Sequence, residues 1–222
     1  MSKRVKVALV GLDGCGKSTN IEQMKVDNDF AGFVFLWVRW EPKLLAPAYW
    51  ILNKKVNKGQ RKDNDGRAQL NSEYSQKAKV KGRVFQNPII RYAWIFLAVL
   101  DYFFQFYVKT LRVLTQQRNI VFDRFYLDLF VDQGISFGYS PGQISKMVKS
   151  NSWLFPKANK TIYIKVDPEV CYKRKADIPN MEYLLKRYEI YEAFSRECGW
   201  VVINGEEPLE RVYAQIKEQI MT

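Results

Sequence analysis

Residues 11–19 read Gly-Leu-Asp-Gly-Cys-Gly-Lys-Ser-Thr, and they follow the apolar run Val5, Val7, Ala8, Leu9, Val10. This order predicts a buried strand, a tight turn and the start of a helix. The spacing G-x-x-x-x-G-K-S is that of a phosphate-binding loop. Gly11, Gly14 and Gly16 let successive backbone N–H groups curl around an anion. A helix starting near Gly16 adds the positive end of its dipole. Lys17 is placed to reach β- and γ-phosphates, and the Ser18 hydroxyl to ligate Mg2+. Asp13, Cys15 and Thr19 complete a loop expected to hold ATP. Cys15 reads as a small filler and not as a nucleophile, since nucleotide chemistry needs none.

Composition narrows the classes further. The chain has 222 residues, 47% of them hydrophobic, which suits one α/β domain with an ample core. It contains no histidine, so every mechanism that uses one is excluded. Its three cysteines, Cys15, Cys171 and Cys198, lie far apart, which argues against a disulfide framework or a zinc site and for a reducing, cytoplasmic setting. The apolar stretch from Trp94 to Val108 is interrupted by Asp101 and Gln105. It falls short of the roughly 20 residues that a spanning helix needs, so the expectation is a soluble protein or one attached to a membrane surface.

The formal charge is +12, and ten Lys and Arg between Lys54 and Arg83 face only three acids. Such a patch suggests an acidic partner: a phosphorylated substrate, an anionic membrane surface or, least expected, a nucleic acid. A solvated loop is the competing reading, and the middle of segment 53–87 is expected to be one.

Hydrophobic periodicity gives the remaining elements. Strands are expected at 33–39, where a continuous apolar run suits full burial, and at 119–124, 161–167 and 200–204. Helices are expected at 17–25, 126–134, 142–151, 168–175, 181–198 and 206–221, with a long one at about 89–117. That long helix is apolar around most of its girth, which offers a face for a homodimer. One stripe carries Arg91, Asp101, Gln105, Lys109 and Arg112. Polar groups in an apolar helix need partners, either each other or a ligand, and Asp101 and Gln105 are read as ligand contacts. Asp123 and Arg124 end a strand, where open α/β sheets bind ligands. The expected fold is a three-layer α/β/α P-loop NTPase fold with a five-stranded parallel sheet.

Four landmarks occur in order: the phosphate loop, Val38-Arg39-Trp40-Glu41-Pro42, Phe122-Asp123-Arg124-Phe125, and Val166-Asp167-Pro168-Glu169 with Arg174 close behind. Their order and spacing resemble thymidylate kinase and its relatives among the nucleoside monophosphate kinases. The resemblance covers about 1–42 and 119–222 and implies one P-loop kinase domain. It implies a lid at about 173–181 and treats the basic segment 53–87 as an insertion. It implies ATP and Mg2+, and phosphoryl transfer to a nucleoside monophosphate, dTMP to dTDP. By position, Arg39 and Arg124 would hold the acceptor phosphate. Asp13 would meet the acceptor sugar, Asp123 would stand near Mg2+ and the acceptor, and Arg174 would be the lid's catalytic arginine. Lys43 and Leu44 stand where the family has two glycines, and Tyr102 beside Asp101 replaces its base-reading arginine. Those departures leave two other readings: a same-fold kinase of a glycan or lipid-linked precursor near a membrane, and a non-kinase nucleotide-binding ATPase.

Overall fold

The computed structural model describes residues 4–54, 66–116 and 118–222. The chain runs β1 (Lys6–Val10), α1 (Lys17–Val26), β2 (Phe33–Trp37), α2 (Ala46–Lys54), α3 (Gly66–Val84), α4 (Pro88–Thr115), β3 (Asn119–Asp123) and α5 (Tyr126–Phe137). It continues through α6 (Pro141–Asn151), β4 (Lys160–Lys165), α7 (Pro168–Arg174), α8 (Met181–Cys198), β5 (Val201–Asn204) and α9 (Leu209–Met221). The five strands form one parallel sheet in the order β2-β3-β1-β4-β5. Helices cover both faces, giving the three layers expected.

This order places β1 at the centre, with β3 registered on one side (Val7 opposite Val121) and β4 on the other (Val7 opposite Lys160). The strand order therefore reverses about β1, and the phosphate loop leaves β1 at that crevice. Crevices of this kind, outside the carboxyl ends of the strands, are where such sheets bind ligands. Val7, Ala8 and Leu9 of β1, with Val121 and Phe122 of β3, are wholly buried, as continuous apolar runs in a doubly covered sheet should be.

Four elements differ from expectation, the first being α2, a helix where none was expected. β2 is an edge strand, half-buried along most of its length, with Trp37 46% exposed. Its apolar run shares one side of its ladder with β3 and has no neighbour on the other among the described residues. Residues 66–84 are helix, not loop. They include Ala, Gln, Lys and Arg, all strong helix formers, and Lys81 and Arg83 in the last turn complement the dipole. Residues 55–65, in the first half of the basic insertion, lie outside the described residues. Finally, α5 continues past Gly134 to Gly138, which caps it in the left-handed conformation at φ 70°. Gly134 is there for close packing: a Cβ on it would stand 2.4 Å from Ile144 of α6.

Candidate active site

The phosphate loop is open toward a cleft. Gly16 enters α1 with φ 96°, and no side chain caps the helix, so its first turn of N–H groups faces the space where an anion would sit. Gly14, at φ 89°, cannot be replaced without strain, because a Cβ there would stand 2.7 Å from the Cys171 carbonyl oxygen of α7. The loop is thus seated directly on α7. Lys17 is 6% exposed, and its Nζ donates to the carbonyls of Gly11 at 2.8 Å and Leu12 at 2.7 Å. The ammonium is folded back over its own loop, within reach of the cleft.

The cleft encloses about 630 Å³, and residues 13–19 of the loop form its floor. Arg39, Asp123, Arg124 and Arg174 stand around it. Residues expected to cooperate, although far apart in sequence, therefore meet at one place. Arg174, at the end of α7, donates to the Gly205 carbonyl at 3.2 Å on the far wall. Ser18 and Asp123 line the same cleft, and among the described residues no three His, Cys, Asp or Glu cluster as an all-protein metal site. This donor set fits Mg2+ held by one hydroxyl, one carboxylate, water and the phosphates of a nucleotide.

The two carboxylates of the cleft are driven in opposite directions. Burial pushes the Asp123 carboxyl up, and Lys17 and Arg124 offset this only in part. Burial acts on Asp13 too, but there Arg124, Arg187 and Lys17 outweigh it and hold the group well below the usual carboxylate range.

Arg124 and Asp13 form an ion pair with each other. Arg124 also donates to Asp128 at 3.1 Å, and its backbone sits at φ 64°, a conformation a bulky residue adopts only when its surroundings fix it. The Tyr183 hydroxyl donates to Asp13 at 2.8 Å and the Tyr191 hydroxyl to Asp128 at 2.5 Å. Arg187, 3% exposed, pairs with Asp132 and stacks on the Tyr183 ring at 4.5 Å. This network ties the phosphate loop to α5 and α8. For Asp13 to touch an acceptor sugar, or Arg124 an acceptor phosphate, their mutual pair must open. None of Asp128, Asp132, Tyr183, Arg187 and Tyr191 was expected from the sequence. The available signal was two matched stripes at four-residue spacing, Asp128 and Asp132 on one helix, Tyr183, Arg187 and Tyr191 on another.

Asp101, Tyr102 and Gln105, expected as acceptor contacts, line neither the cleft nor the cavity beside it. All three are buried and turned to the loop at 38–43. Asp101 accepts from the Lys43 N–H at 2.9 Å and from Trp40 Nε1 at 3.3 Å, Tyr102 donates to the Val38 carbonyl at 2.6 Å, and Gln105 donates to the Glu41 carbonyl at 2.7 Å and to Asp101 at 2.8 Å. The polarity inside α4 braces the loop that carries Arg39.

Beside the cleft lies a second cavity of about 310 Å³. Trp40, Tyr49, Tyr74 and Tyr183 give it aromatic walls, and Lys81, Gln133 and Arg187 supply polar groups. Arg39 lines both cavities and has no ion-pair partner among the described residues.

No family model matches this chain, and no curated protein matches it in sequence. Among solved structures, the deoxyadenosine kinase of M. mycoides with bound dATP matches with a TM-score of 0.54 at 15% identity, over 98% of this chain and 100% of the kinase. The likeness spans both chains end to end, and the fold is a three-layer α/β/α fold shared with a P-loop kinase.

Proposed function

We propose that the chain is an ATP-dependent kinase that transfers the γ-phosphoryl group of ATP to a nucleoside monophosphate, with dTMP to dTDP as the leading reaction. The observation that carries this reading is Arg39, a guanidinium at the junction of two cavities with no ion-pair partner among the described residues. ATP would lie along the phosphate loop with its γ-phosphate pointing at that junction. The acceptor's nucleoside would fill the aromatic cavity, which leaves its phosphate against Arg39.

The residues then divide the work. Loop N–H groups and Lys17 hold the β- and γ-phosphates, and Arg174 neutralises charge on the migrating group. Ser18 and Asp123 would hold Mg2+, which when bound would supply further neutralisation of phosphate charge. Arg39 aligns an acceptor oxygen with the γ-phosphorus. That oxygen forms the new P–O bond as the bond to the β-phosphate oxygen breaks and ADP leaves. A monophosphate is already an oxyanion at neutral pH, so no base is required, consistent with a chain without histidine.

One observation favours a second reading, transfer to a nucleoside hydroxyl. Such an acceptor must lose a proton, and Asp123, its affinity for protons raised by burial, is placed to take it. The solved neighbour, a deoxyadenosine kinase, points the same way. A coupled assay of ADP release with nucleosides and nucleoside monophosphates, wild type beside Lys17→Ala, tests both. Turnover with dTMP that Lys17→Ala abolishes is the expected result. Turnover with nucleosides alone establishes the second reading. Tight ATP binding with no turnover on either overturns both and points to a glycan or lipid-linked acceptor.

A further inference from the structure

Three spaces stand in series. Arg39 is a wall of both the phosphate-loop cleft and the aromatic cavity, and Tyr74, Lys81, Ile135 and Ser136 are walls of both the aromatic cavity and a third space. The cleft and the third space share no wall among the described residues. This third space is a groove of about 530 Å³ between α3, the last turn of α5 and the first turns of α8. Small residues of α3 open it: Ala78 and Gly82 line it, and a Cβ on Gly82 would meet nothing within 4 Å. An acceptor seated with one end against Arg39 therefore has its other end at the mouth of this groove.

The groove is one-sided in charge. Lys77, Lys79 and Lys81 of α3 and Lys186 of α8 line it, against the single acid Glu182 among the described residues. Glu182 is held by Lys186 at 2.6 Å, and Lys77 pairs with Glu73 at 3.4 Å. Lys79 and Lys81 have no ion-pair partner among the described residues. The Lys81 ammonium is fixed at the mouth. It donates to the Tyr49 hydroxyl at 3.2 Å and stands 5.0 Å from the centre of that ring, and Tyr49 is a wall of the aromatic cavity. The three lysines of α3 belong to the basic stretch that ends at Arg83, and none of them lines the phosphate-loop cleft. Cations gathered around a concave space focus their field into it and draw in an anion. Two cations without acids match one phosphate dianion, which lysines hold as point charges. The occupant is a small molecule, because the same walls continue into the acceptor cavity. We propose that the acceptor carries a second phosphate at its far end, held in this groove by Lys77, Lys79, Lys81 and Lys186 while its near end lies against Arg39. This rests on the acceptor cavity assigned above. dTMP is then the minimal acceptor, and a nucleotide extended by a second phosphate the better one.

The test is calorimetric titration of the full chain, without ATP, with dTMP, thymidine 3′,5′-bisphosphate and the 5′-phosphorylated thymidine dinucleotide, for the wild type beside Lys77→Gln/Lys79→Gln. ADP release with each compound is measured alongside, so that binding in the groove and phosphoryl transfer are read separately. The expected result is a wild type that binds one or both extended compounds at least about tenfold more tightly than dTMP, an advantage that shrinks as salt rises. The variant, changed outside the cleft and the aromatic cavity, should lose that advantage and keep its dTMP affinity and its melting temperature. Lys79→Gln alone, at an exposed position, repeats the test with no ion pair disturbed. dTMP that binds and turns over with no gain from a second phosphate overturns this proposal and leaves the kinase reading standing. An advantage that survives in both variants also overturns it. A salt-sensitive advantage in binding that the variants lose, without turnover of any compound, supports the groove and overturns the kinase reading. No binding of any of the three overturns both.

Discussion

At the scale of single residues, the cleft sorts its two carboxylates by their surroundings. Asp13 is compensated by Arg124, Arg187 and Lys17 and stays ionised, while Asp123 is half-buried with less compensation and holds its proton more tightly. Carboxylates whose environments push their proton affinities apart take different roles. Asp123 is the one whose ionisation can control rate. Its charged form is the one that would hold Mg2+ or accept a proton, so activity should rise as pH rises through its elevated pKa and fall on the acid side. Asp123→Asn should flatten that acid limb of kcat/KM and lower kcat by about 10²- to 10⁴-fold. The pH–rate profile of the variant decides it: an acid limb like that of the wild type would assign the titration to another group. Asp13 and Asp123 were legible because each sits inside a local motif. Arg187 was not, because its part depends on Asp132 in another helix, and no single segment shows that pairing.

At the scale of elements, α4 shows how polarity can be read from the sequence while its partners stay hidden. Asp101 and Gln105 stand out in an apolar helix and had to find partners. The partners are the Lys43 N–H, the Trp40 indole and the Glu41 carbonyl, about 60 residues earlier in the chain, and helical spacing says nothing about them. The role that follows is positional. Asp101→Leu would leave the Lys43 N–H and the Trp40 indole without their acceptor and loosen the loop that carries Arg39. The expected cost is about 1–3 kcal/mol of stability by urea unfolding. In steady-state kinetics, KM for the acceptor should rise while KM for ATP stays at its wild-type value, because the phosphate loop is braced separately through Arg124 and Tyr183. An equal rise in both would mean that the bracing extends to the whole cleft. α3 failed to show itself for a different reason. Its lysine-rich sequence carries helix propensity without a strong apolar stripe, and that combination reads equally as a solvated loop.

At the scale of the whole molecule, five apolar runs separated by helical segments were enough to give the layers and the parallel sheet, since parallel strands need crossovers of that length. The strand order and the edge position of β2 were beyond reach, because they depend on which runs pair and not on what each contains. The same holds for the clasp that joins the two ends of the chain. Asp27, just after α1, accepts from Lys217 at 2.7 Å and from Tyr213 at 2.5 Å, both on α9, and from the Asp29 N–H at 3.0 Å. The hydrogen bonds from Lys217, Tyr213 and the Asp29 N–H pull the Asp27 carboxyl down from 3.8 to about 2. A carboxyl depressed by folding adds stability that is fully present above its unfolded pKa and is lost as pH falls through its folded one. The clasp should therefore act fully above about pH 4 and fail between about pH 4 and pH 2. Lys217→Met removes the cation and returns Asp27 toward its ordinary value. The variant should be less stable than the wild type by a constant amount at neutral and weakly acidic pH, and the gap should close as pH falls through that window. Asp13 and Asp128 also titrate in acid, but both proteins share them, so they cancel in the difference. Urea unfolding of the pair from pH 7 downward reads the gap directly. If it stays constant to the lowest pH at which both proteins fold, Lys217 does not hold the Asp27 charge, and α9 is kept in place by its buried Val212, Ile216 and Ile220 and by contacts other than Lys217.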